Sequence, residues 1–196
     1  MTAIVVPCFV PSQAEAEGVI IGQLLAGYGE LELELADCVI AAIGNYDAAI
    51  KVLFRERGEQ KRIERADSMI KAKYEYAGLG ASYKQAISDM NWCRCIRNQY
   101  AHSHWYYTDA EGLCFVDLEY TAKLSTVIET VMEHRHPIDT SLLERQANFS
   151  IYVKNCFWFL AESYRRFDKI TKSPEVLLSS RIHALPARVA RPQKHN

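Results

Sequence analysis

The stretch Met90–Trp105, MNWCRCIRNQYAHSHW, gathers an arginine, an asparagine and two histidines within eight residues. Arg97-Asn98-Gln99-Tyr100-Ala101-His102 has the form Arg, polar residue, three residues, His. For RNA cleavage without a metal, a base must take the proton from a ribose 2′-hydroxyl. A histidine titrating near neutrality suits that task. A fixed cation must stabilise the charge that develops on the phosphorus oxygens, and the planar fork of an arginine does so. His102, Arg97 and Asn98 fit those roles, the amide orienting the phosphate or the imidazole.

These residues must be held by a helix. Tyr83, Ala86, Ile87, Met90, Arg94, Arg97 and Ala101 recur at helical spacing from Ser82 onward, which puts Arg94 and Arg97 on an apolar stripe. An unpaired buried guanidinium costs several kcal/mol. Two such cations on one face therefore point to a cleft or a dimer seam. Asn98 and His102 are one helical step of four apart and share a face, whereas Arg97 and His102 are separated by about 140° of rotation. The helix has to end near His102 if both are to meet one substrate. A two-fold axis along it would place two copies of the set across a groove.

The remaining pattern is mostly helical. Residues 1–11 read as a short extended segment, and a helix begins near Ser12 with Glu15 closing a capping box. Gly27-Tyr28-Gly29 loosens or kinks it. The spacing of Leu31, Leu35, Val39, Ala42, Tyr46, Ile50 and Leu53 then predicts one continuous helix. Gly58 and the mixed charges of Glu59–Arg65 read as a polar connection before a helix from about Arg65 to Tyr76, which Gly78 and Gly80 end. Aromatic and β-branched residues flanking Asp109-Ala110-Glu111-Gly112 predict a hairpin within residues 104–118. Helical periodicity returns over Glu119–His134. After Pro137, Asp139 or Thr140 caps a last helix reaching about Lys169.

The expected fold class is therefore all-α, a four- to five-helix bundle with a small β-hairpin after the motif helix. Residues 1–172 are expected to form a single helical domain. Residues 173–196 form a basic, partly disordered tail, with Arg181, Arg188, Arg191 and Lys194 against the single acid Glu175.

A formal net charge of −1 argues against a broad basic surface, so an RNA partner needs a local patch. The first residues lack a basic n-region and no stretch approaches a membrane span, so a cytoplasmic protein without a membrane partner is expected. The six cysteines (Cys8, Cys38, Cys93, Cys95, Cys114 and Cys156) form no Cys-x-x-Cys pair and read as buried free thiols.

The Arg97–His102 string at the end of a bundle helix resembles the signature of the HEPN superfamily, an Arg followed by a polar residue and then a His. The helical order around it agrees over roughly residues 28–170. The resemblance implies an all-α, usually dimeric domain with two motifs in a shared cleft. Many members are metal-independent endoribonucleases of toxin–antitoxin, abortive-infection or CRISPR systems, and others are inactive binding modules. It thus implies RNA and a second copy as partners, no cofactor, and an antitoxin or nucleotidyltransferase partner for the toxin subgroup. In that subgroup a Tyr follows two residues after the His; here the position holds His104, so AMP transfer to this chain is not implied.

Arg94, His104, Tyr106 and Tyr107 are the expected substrate-binding residues, the tyrosines as platforms for stacked bases. Trp92, Trp105 and Trp158 read as core or interface anchors. His102-x-His104 and His134-x-His136 also offer four imidazoles, yet no carboxylate or Cys stands beside them at ligand spacing, and no metal is assigned. There is no nucleophile elbow and no Gly-rich phosphate loop. The alternative to catalysis leaves Arg97 paired with an acid such as Asp89 or Glu129, with His102 capping the helix C-terminus.

Overall fold

The computed structural model describes residues 14–124, 128, 130–172 and 184–195. Among them the chain is mostly helical, with a small antiparallel sheet. The helices are α1 (Glu15–Ile43), α2 (Tyr46–Phe54), α3 (Glu59–Tyr76), α4 (Gly80–Ala101), α5 (Leu118–Thr121) and α6 (Thr140–Lys172). The strands are β1 (Ser103–Thr108), β2 (Gly112–Asp117) and β3 (His136–Pro137), in the order β1-β2-β3. No described helix is long and apolar enough to cross a membrane.

The described residues fall into two compact units. One takes the spans Met1–Tyr28, Cys93–Phe149 and Arg191–Asn196; the other takes Gly29–Trp92 and Ser150–Ala190.

Several helix boundaries depart from the sequence expectation, each for a local reason. Gly27 and Gly29 do not break α1, which runs through them. A helical glycine costs only about 1 kcal/mol, and the buried Leu24, Tyr28, Leu31 and Leu35 outweigh it. The stop comes instead at Gly44, whose φ of +71° suits a residue without Cβ. Asn45 then caps α2 by accepting the Ala48 N–H at 3.0 Å. The run Glu59–Arg65 is no connection. It forms the first turns of α3, with Gln60 bonded to Glu64 at 2.8 Å and Ile63 facing the core.

Of the helix expected over Glu119–His134, the described residues hold only α5 and a short 3-10 turn at Val131–His134; residues 125–127 and 129 lie outside the described set. The expected cap of the last helix is present. Asp139 Oδ1 accepts the Leu142 N–H at 3.1 Å, and its carboxyl is held below the usual carboxylate range by that bond and the Ser141 hydroxyl.

In the second unit the core gathers Leu31, Leu35, Val39, Leu53, Ile63, Ile70 and Phe157 around Tyr74 and Tyr83, whose rings stack at 4.9 Å. Arg62 clips Glu32 with both its carboxylate oxygens, at 2.6 and 2.8 Å. Cys38 is fully buried there. Its thiol donates to the Phe157 carbonyl at 3.3 Å, and burial pushes its pKa up to about 12. Cys93, Cys114 and Cys156 are also buried and Cys95 is half-buried, all as free thiols; Cys8 lies outside the described residues.

The first unit holds the sheet. β1 and β2 pair from Ser103 with Asp117 to Thr108 with Gly112, the hairpin expected from the sequence, and β3 adds a short third strand opposite Cys114 and Phe115. Paired residues share a face. His104, Tyr106, Val116 and Cys114 therefore lie on one face, with Met132 packed against it. Trp105, Phe115 and His136 lie on the other.

Candidate functional site

The last turns of α4 decide where the motif side chains point. The buried face of this end of the helix is Cys93, Ile96 and Tyr100. Arg94 and Arg97 are half-buried and Ala101 is exposed, so they flank that face by one residue step. This corrects the stripe inferred from spacing. A shift of 100° per residue moves both guanidiniums from the centre of the apolar face to its edge. Both side chains are only half-buried there, although the Nε of each is buried.

Arg97 Nη1 donates to Asn98 Oδ1 at 3.2 Å. Asp89, one of the acids considered for Arg97, is itself reached by other groups. It is 1% exposed and receives both terminal nitrogens of Arg188 together with Gln85 Nε2 at 3.1 Å. Glu129 lies outside the described residues. Arg94 Nε is buried without a hydrogen-bond partner among the described residues.

His102 is the first residue past α4. Its backbone N–H still reaches the Asn98 carbonyl at 3.1 Å, while its side chain is exposed. Asn98 thus connects both halves of the motif, holding Arg97 through its amide and His102 through its carbonyl. The α4 helix ends where the sequence argument requires it to end.

The other expected residues separate. His104 is exposed on β1, its ring edge-on to Tyr106 at 4.7 Å. Tyr106 is only 4% exposed and packs with Cys114, Val116 and Met132, so its ring has no open face for a base. The sequence assigned it to stacking because a hairpin's two faces look alike until the packing is known. Tyr107 is half-buried on the opposite face. The two His-x-His pairs do not converge. His104 and His136 lie on opposite faces of the sheet, His136 with its ring 5.5 Å from Phe115.

A polar network beside the motif was not foreseen, and it involves the two residues between Asn98 and Ala101. His195, 7% exposed, is seated among Tyr100, Phe115 and the start of α6, its ring edge-on to Phe115 at 5.7 Å. Its Nε2 accepts the Asp139 N–H at 3.0 Å, which leaves the proton of the neutral ring on Nδ1. Nδ1 lies 2.6 Å from Tyr100 Oη, which in turn donates to Gln146 Oε1. Gln146 Nε2 donates to the Gln193 carbonyl at 2.7 Å, and Gln99 Nε2 to the His195 carbonyl at 2.7 Å. Ser103 Oγ closes the turn by donating to the Gln99 carbonyl. Burial pushes the His195 pKa down and the Tyr100 hydroxyl up, so both are neutral near pH 7.

Comparison with protein-family models, with curated proteins and with solved structures finds no match to this chain.

Proposed function

We propose that the end of α4 is the active centre of a HEPN-type, metal-independent endoribonuclease, assembled from two copies of the chain. The observation that carries this reading is the Asn98 junction: one residue orients the Arg97 guanidinium and fixes the backbone of the exposed His102. In the proposed reaction His102 takes the 2′-hydroxyl proton and the oxygen attacks the adjacent phosphorus. Arg97 neutralises the non-bridging oxygens, and the second copy's His102 protonates the leaving 5′-oxygen. Products would carry 2′,3′-cyclic phosphate and 5′-hydroxyl ends. Arg94, His104 and Tyr107 are the side chains available to hold the strand; Tyr106 is withdrawn from that set. A toxin or defence role, with an antitoxin partner, belongs to the same reading.

A second reading is a non-catalytic helical module that binds RNA, a nucleotide or a protein at this edge. It is favoured by one feature: among the described residues nothing hydrogen-bonds the His102 imidazole to set its tautomer. The test is cleavage of labelled single-stranded RNA and tRNA in EDTA by wild type, His102→Ala and Arg97→Ala. Cyclic-phosphate products that both variants lose by about a hundredfold or more support the enzyme. Binding without cleavage by a folded dimer supports the module and refutes the enzyme.

A further inference from the structure

The motif's two inner residues, Gln99 and Tyr100, are the ones that grip residues 193–195. The grip is reciprocal and directional. The Tyr100 hydroxyl sits between His195 Nδ1 and Gln146, Gln146 returns to the Gln193 carbonyl, and Gln99 reaches the His195 carbonyl.

The geometry also makes the grip conditional on one proton. The His195 ring uses Nε2 as an acceptor and Nδ1 as a donor, so both nitrogens are satisfied only in the neutral ring. A second proton would sit on Nε2 and face the Asp139 N–H, donor against donor. Burial is the largest influence on the ring and disfavours the cation. Asp139, whose carboxylate is also engaged by Ser141 and the Leu142 N–H, favours it, and His136 from β3 and Arg145 from α6 oppose it. Tyr100 from α4 is held neutral, and Phe115 from β2 is apolar.

We infer that residues Gln193–His195 are a proton-released latch on the last turn of α4, with His195 the positioning residue for the Arg97–His102 segment. The regulation of cleavage rests on the ribonuclease reading; the latch itself does not. With its neutral form favoured on folding, His195 contributes fully above the ordinary histidine range near pH 6.5, and the contribution is lost as the pH falls below it.

The experiment is a pH titration of the full-length chain, 15N- and histidine-labelled, followed by NMR between pH 8 and pH 5. Wild type should show the Nδ1–H tautomer of His195 at pH 8. On acidification the imidazole should titrate below the ordinary histidine value, and the His195 and Lys194 amides should become mobile in the same step. Shift changes at Gln99 and Tyr100 should accompany that step. His195→Gln, which carries no titrating ring, should lose that step while remaining folded. Amides of 193–195 that stay rigid through the imidazole titration would overturn the latch, as would the same step persisting in His195→Gln.

The RNA arm is separate. If wild type cleaves, kcat should fall about tenfold on latch release with KM little changed, because misplacing a catalytic segment acts on the chemical step. His195→Ala should show that loss at every pH, and His195→Gln should lack the added drop, keeping only the pH dependence of the His102 pair. A latch that titrates in a chain that never cleaves refutes the ribonuclease and leaves the latch standing. Cleavage whose pH profile is identical in His195→Ala removes the latch from regulation.

Discussion

Replacing Tyr100 by Phe removes one oxygen and strands two buried partners. His195 Nδ1–H loses its acceptor and Gln146 Oε1 its donor, and these residues are 7% and 1% exposed. The ring stays, so its contacts with Trp105 and Phe115 at 5.9 Å each are kept and no large cavity forms. Each stranded buried group costs about 1–3 kcal/mol. The lower end applies to both, because neither is charged, which gives a loss of about 2 kcal/mol at pH 8. With a urea m-value of about 2 kcal/mol/M, the midpoint should fall by about 1 M. The sign of the pH effect follows from His195, whose neutral form is favoured on folding. Its bond is fully present above pH 6.5 and lost as the pH drops, so at pH 5 the difference between wild type and Tyr100→Phe should shrink by about half. Urea unfolding at both pH values, paired with a Tyr100→Phe/His195→Ala cycle, measures it. A midpoint shift under about 0.3 M at pH 8, or strict additivity in the cycle, would refute the network as an energetic unit.

The remaining predictions concern the buried Asp89 and the cysteines. Arg188→Met leaves the buried Asp89 carboxylate without the two guanidinium bonds that now reach it, and should destabilise by about 1–2 kcal/mol. The value sits below that of a fully buried pair because the Arg188 side chain is 48% exposed and water screens it. Adding Asp89→Asn to Arg188→Met should recover part of the loss in chemical denaturation; a double variant as weak as the sum of the singles contradicts this account. In a Cys8→Ser background, a thiol reagent at pH 8 should modify Cys95 first and leave Cys38 untouched until unfolding. Cys38 is fully buried and its thiol is pushed up to about 12. Mass-spectrometric mapping that finds Cys38 modified as fast as Cys95 would show that the core around it opens readily.

Local chemistry made some elements legible and left others hidden. The hairpin could be read because its turn ends on Gly112, with a φ of +74°, and because β-formers flank it on both sides. The Asp139 cap was readable for the same local reason. The Gly44-Asn45 stop was written in the sequence too, but the periodicity of Leu31 to Leu53 continues across it, since a short turn can resume the same phase. Glu59–Arg65 was misread because charge alone does not distinguish a solvated helix from a loop. The spacing of Ile63, Ala66 and Ile70 does. Strand β3 has only two residues, and its pairing with Cys114 and Phe115 depends on a partner some twenty residues away, which no periodicity reports.

The same contrast runs through the site. Arg97, Asn98 and His102 announce themselves by residue type, and α4 ends at Ala101, one residue before His102. A helix cannot present every residue of such a string to a substrate, because about half its circumference must pack. In this string Gln99 and Tyr100 carry that load, and what they meet is His195, 95 residues beyond Tyr100. Nothing in a basic, proline-containing segment marks one histidine as buried; only the partners do, and they come from α4, β2 and the start of α6. A pattern that counts the Arg and the His treats the positions between them as blank. Those positions set how firmly the motif is held, so whatever Arg97 and His102 do is coupled to the seating of residues 193–195.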